Sequence, residues 1–193
     1  MATHINGESE FRTLPLSERK VLTIRPTFNQ ARISAVSKPT ALYYGAFQAY
    51  SMPIWNDTTN VEELLYYRFS VPKRWDGVTN PVCKIYTYLT GAEDVGDIFT
   101  LGLGYNCATC EGELLTNTLT ETYAVGTIAT GKTAQYSTYC VECEIDATKI
   151  VVDGLFAGYI ARTSIGTPEV DNEIAVMYMS VEFPIDKLYD TWI

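Results

Sequence analysis

Runs of roughly seven to twelve residues that alternate apolar and polar side chains follow one another along the chain. No stretch of useful length repeats at helical spacing instead. Period-two alternation puts successive side chains on opposite faces of a strand, so such a chain must build its core from sheets. Glu62–Val71 (EELLYYRFSV) shows the pattern, with Leu65, Tyr67, Phe69 and Val71 predicted to be buried opposite Leu64, Tyr66, Arg68 and Ser70. Lys20–Thr27, Thr40–Pro53, Val82–Thr90, Ile98–Tyr105, Ala134–Ile145 and Leu155–Thr163 read the same way, and the Thr-rich Leu114–Ile128 joins them. In Asn172–Phe183 the alternation sets Ala175, Met177, Met179, Val181 and Phe183 against Ile174, Val176 and Tyr178. Gly102 and Gly104 share one face of a run, which predicts close approach by another backbone or a sharp bend.

Turn chemistry separates the runs at Asn56–Asn60, Pro72–Pro81 and Gly91–Asp97. A usage of 14 Tyr and 24 Thr agrees with pleated, half-buried surfaces. The expected fold is all-β: a single β-sandwich of jelly-roll type built from roughly eight or nine strands. An extended N-terminal arm with a first strand occupies residues 1–40, and the sandwich occupies 41–193.

At 193 residues the chain fits one domain with its own core. Its formal charge of −9 argues against general nucleic-acid binding, which needs a basic surface. His4 is the only histidine, which leaves little material for histidine triads or His-rich metal sites. No apolar run is long enough for a membrane span, and the first twenty residues lack the apolar centre of a secretory signal. Synthesis in a cytoplasm is therefore expected.

The charge is split. Residues 1–75 hold nine basic and six acidic side chains, while 76–193 hold five and seventeen. Arg12, Arg19, Lys20, Arg25 and Arg32 lie ahead of an acidic body, which predicts either an arm that lies against a neighbouring copy or a solvated acidic surface with no partner.

Gly126–Thr133 (GTIATGKT) fits the phosphate-loop pattern, with Asp153 as an apparent partner. That chemistry needs a helix after the loop, and AQYSTYCVEC predicts a strand there. The predicted structure is a Gly-Lys turn. Cys107, Cys110, Cys140 and Cys143 make two C-x2-C pairs, a set that can hold tetrahedral zinc. Within an alternating run, however, Cys140 and Cys143 face opposite ways, and 29 residues separate the pairs where about 15–20 is usual. The four stay as metal candidates, while Cys83 and one or both strand cysteines read as small buried hydrophobes. Glu93, Asp94 and Asp97 offer hard oxygens to calcium, or else serve as turn residues.

No nucleophile–base pair stands out, so a non-enzymatic protein without a cofactor is expected. Trp55, Trp75 and Trp192 are candidate interface anchors or sugar platforms, Trp75 alternatively capping the end of a sheet.

From Ala49 onward, Tyr50–Trp55, Arg74–Pro81, Ala92–Asp97, Thr133–Ser137 and Asp186–Tyr189 together resemble uncharacterised proteins of tailed phages and related viral genomes. The loop Asn106–Glu113 lies outside that pattern. The resemblance implies a virion component, a jelly-roll decoration protein lying on the capsid. Its implied partners are the major capsid protein and copies of itself, expected as a trimer, with neither nucleic acid nor membrane. A carbohydrate- or receptor-binding sandwich module is the alternative.

Overall fold

The structure, a computed structural model, describes residues 21–28, 40–52, 64–109, 119–163 and 167–185. Ten strands occur among them: β1 (Val21–Ile24), β2 (Thr40–Tyr44), β3 (Phe47–Met52), β4 (Leu65–Ser70), β5 (Val82–Leu89), β6 (Ile98–Ala108), β7 (Thr120–Thr127), β8 (Thr138–Glu144), β9 (Leu155–Thr163) and β10 (Ile174–Pro184). They form two antiparallel sheets packed as a sandwich. The larger runs β2-β3-β10-β5-β8 with β1 also on β10, and the smaller runs β4-β9-β6-β7. The chain is all-β, as its alternation predicts.

The pairing is nested. β6 pairs with β7, β5 with β8, β4 with β9 and β3 with β10. The chain from β3 to β10 is thus one long ribbon, closed at β6–β7, whose successive rungs fall in alternate sheets. β1, within the segment expected to be an arm, pairs with the far end of β10 from Val21↔Pro184 to Ile24↔Val181.

Between the sheets lie Leu65, Tyr67, Ile85, Leu89, Phe99, Leu101, Leu103, Val141, Phe156, Ile160, Met179, Val181 and Phe183, all buried. Each large aliphatic or aromatic side chain contributes about 1.5–3 kcal/mol on burial. Phe156 is the hub, stacking on Phe69 at 4.8 Å and on Tyr105 at 5.2 Å between centroids. The face predicted for β4 is the one buried, with Leu65, Tyr67 and Val71 inside.

Two runs depart from strict alternation. In β10 the register slips between Val176 and Tyr178, so both Ile174/Val176 and Met179/Val181/Phe183 enter the core. An inserted residue flips the phase of a strand, and Ala175 consequently packs outside with Ala49 and Tyr88. The run Thr40–Pro53 is not one strand. Gly45, at φ +59°, and Ala46 form a two-residue turn that pairs Tyr44 with Phe47.

Candidate functional site

Two surface features are built from more than packing needs. The first is the β2–β3 turn. Tyr43 is 72% exposed and Phe47 64%, with half-exposed Tyr44 between them. Among the described residues, β2 is also an outermost strand of the larger sheet. Tyr136 reaches this turn from the loop before β8 and stacks on Tyr44 with centroids 3.8 Å apart. Its φ of +68° is a left-handed conformation that costs a bulky residue on the order of 1–3 kcal/mol. The Tyr136 amide donates to the Leu89 carbonyl at 2.8 Å, and its ring lies 5.9 Å from Tyr88, contacts that hold this geometry.

The second is a trough on the outer face of the smaller sheet. Gly102 and Gly104 floor it from β6, because the other β6 face supplies Leu101 and Leu103 to the core. Across β7 lie Tyr123 and Glu121, and across β9 lie Ala161 and Tyr159. A Cβ on Gly104 would meet the Tyr159 ring at 2.6 Å, and one on Gly102 would meet Tyr123 at 3.4 Å. The rings thus lie over the glycines. The close approach at these positions is by aromatic rings, in place of the backbone or bend that the alternate glycines predict.

Glu121 ties the two rings together, accepting from Tyr123 Oη at 2.8 Å and from Tyr159 Oη at 3.3 Å. The bond to Glu121, then burial, raises the Tyr123 phenol above its ordinary value, so it stays a donor at neutral pH. With Thr163 at one end, the trough has a volume of about 260 Å³. On the adjoining rung, Thr100 opposite Thr163 is buried with its hydroxyl unpartnered. Two ring faces beside a carboxylate suit a ligand with one apolar face and hydroxyls at its rim. Sequence reasoning passed over Glu121, Tyr123 and Tyr159. The available signal was the alternate glycines, which leave room on one face for neighbouring rings.

The residues singled out by sequence are dispersed. Gly126 and Thr127 end β7, Lys132 donates its amide to Ala129 in a turn at 3.0 Å, and β8 follows. The phosphate-loop look-alike is therefore a turn between strands. Asp153 pairs with Lys73 at 3.2 Å. Cys140 is on the exposed outer face of β8 and Cys143 on the buried inner face, as their spacing predicts, while the Cys107 thiol accepts from the Val151 amide at 3.4 Å. Cys110 lies outside the described residues.

Glu93 is buried, and its carboxylate accepts from the amides of Asp171 at 3.0 Å and Asn172 at 2.9 Å. Asp97 accepts from the Asp94 amide at 2.9 Å, and Asp94 is exposed. Both carboxylates thus cap amides within the chain, the turn reading of these residues. Trp75 is corrected as an interface anchor. Its ring is buried edge-on to Phe183 at 5.9 Å, with Nε1 donating to the Thr79 carbonyl at 3.0 Å. It is the cap of the sheet end, the other reading of that residue. Arg25 is exposed just beyond β1. Arg12, Arg19, Lys20, Arg32, Trp55 and Trp192 lie outside the described residues.

Compared with known proteins, the chain matches no protein-family model and no curated protein sequence.

Proposed function

We propose that this chain is a non-enzymatic structural protein of a virion, a jelly roll that associates with copies of itself and seats on the capsid surface. The nested pairing carries the reading. Four antiparallel rungs wound alternately into two sheets support a double Greek key, an arrangement found in viral capsid domains and lectins. Because a fold hosts many functions, the choice among them rests on the surface. Tyr43, Tyr44 and Phe47 flank the edge of β2, which no further strand pairs among the described residues, and such an edge with aromatic anchors favours pairing with another chain. The polar side chains that would attract an enzymatic reading, Glu93, Arg162, Glu169 and Asp76, are occupied by hydrogen bonds within the chain.

Mass spectrometry of purified virions tests the location, and light scattering tests the self-association. The expected result is the chain in stoichiometric amount on particles and an oligomer in solution that Tyr43→Ser with Phe47→Ser dissociates. A monomer at every concentration, or absence from particles, overturns the reading.

A second reading has its own observation, the trough over Gly102 and Gly104. Its rings and Glu121 fit a saccharide ring, stacked on Tyr123 and donating hydroxyls to the carboxylate. A glycan array checks it: specific binding abolished by Tyr123→Ala supports it, and a blank array sinks it.

A further inference from the structure

Cys83 in β5 and Cys143 in β8 stand directly opposite one another in antiparallel register. Both are free and buried, and both point into the core. Directly opposed residues of antiparallel strands have Cα atoms about 4.5 or 5.5 Å apart, and both values lie within the 4.4–6.8 Å that a disulfide spans. Their Cβ atoms, about 4.5–5.5 Å apart in such pairs, need only a small closure to reach the roughly 3.8 Å of a bonded pair.

We propose that Cys83 and Cys143 are a latent disulfide site, joined by low-molecular-weight disulfides once the protein leaves a reducing compartment. The chemistry is thiol–disulfide exchange with oxidised glutathione. The Cys143 thiolate, on the sheet-edge strand β8, attacks one glutathione sulfur, forming a mixed disulfide and expelling one glutathione thiolate. The Cys83 thiolate then attacks the Cys143 sulfur, forming the Cys83–Cys143 bond and expelling the second glutathione. The two protein protons end on the two glutathione thiols, so one glutathione disulfide is reduced for each protein disulfide formed.

The surroundings set the rate. The two thiols hydrogen bond to each other, and that bond, then burial, raises the Cys83 pKa well above the ordinary thiol value. The Cys83 thiolate is scarce near neutral pH, and the reagent reaches the buried pair only when β8 opens. Exchange is therefore slow and accelerates with pH. The bond would close a loop of about sixty residues that contains β6 and β7, the closed end of the ribbon, and long loops restrict the unfolded chain most.

The test uses the full chain with Cys107, Cys110 and Cys140 changed to Ser, incubated with reduced or oxidised glutathione. The expected result is a loss of about 2 Da per chain, a Cys83–Cys143 linked peptide after proteolysis, and a midpoint of thermal unfolding raised on the order of 5–10 °C. The same oxidation of a variant that also carries Cys143→Val leaves the mass and midpoint unchanged. Oxidation in mild urea, which frees β8, gives the reagent access if the folded protein resists it. Two free thiols persisting there after return to buffer overturn the proposal, as does a linked form that melts at or below the reduced one.

Discussion

Arg162 Nη2 lies 3.1 Å from Glu169 Oε1, with the arginine side chain wholly shut off from solvent. The same guanidinium donates to the carbonyls of Asn172 at 2.6 Å and Val170 at 2.8 Å. One side chain from β9 thereby gathers the 169–172 loop onto the sandwich. Burial lowers the arginine pKa, and its bond to Glu169 works against that. Arg162→Leu removes the guanidinium's bonds to Glu169 and to the Val170 and Asn172 carbonyls, a loss of about 3–5 kcal/mol. Urea denaturation measures it, and a change below about 1 kcal/mol would show that the loop finds other partners.

Glu93 holds that loop from the other side through the amides of Asp171 and Asn172. Glu93→Ala strands two amides and is expected to cost about 1–3 kcal/mol, with Glu93→Gln milder because its amide oxygen still accepts. Hydrogen exchange at Asp171 and Asn172 reads the effect locally, and both amides should lose protection in the alanine variant.

Gly158 and Gly104 face each other across β9 and β6 as near neighbours, yet their substitutions should differ. A Cβ on Gly158 would sit 2.0 Å from the Gly104 carbonyl oxygen, so backbone must move, while one on Gly104 displaces the Tyr159 ring. Gly158→Ala is expected to unfold the protein or lower its stability by at least 3 kcal/mol, and Gly104→Ala to cost about 1–3 kcal/mol. Near-ultraviolet circular dichroism with thermal melts separates the two, and equal losses would refute this ordering.

Stability should fall at alkaline pH. The Cys83 pKa is raised by its bond to Cys143 and by burial, and the Tyr67 pKa by burial first. A group whose pKa is higher folded than unfolded loses its proton first in the unfolded chain. Stability is therefore intact below the unfolded thiol value of about 8.5 and drops as pH rises past it toward the folded value, steepening beyond the phenol value of about 10. Thermal melts from pH 7 to 11 under reductant follow the decline, and Cys83→Ala should flatten its onset between about 8.5 and 10. A flat midpoint across that range contradicts it.

Particular residues show what could be read from sequence. The run Leu155–Thr163 is β9 end to end, because uninterrupted alternation in a paired strand leaves one solution for each side chain. Asn172–Phe183 was equally legible as a strand, but the bulge near Met177 reversed its phase, and no local signal marks an inserted residue among apolar neighbours on both faces. The turn at Gly45 was hidden within an apolar run. The trough was half visible. Gly102 and Gly104 could be seen, whereas Glu121, Tyr123 and Tyr159 join them only through pairing across strands.

The place of β10 also fixes an order of events in time. It is the last strand of the ribbon, yet it lies inside the larger sheet, between β5 and the edge shared by β3 and β1. The β6–β7 hairpin zips from near neighbours, but β3 must wait for a partner more than a hundred residues further along. Pairing over such distances is slow, because the chain gives up the freedom of a long loop before any contact repays it. On the ribosome, the larger sheet therefore stays open, with β3 and β5 unpaired on their β10 side, until β10 has emerged.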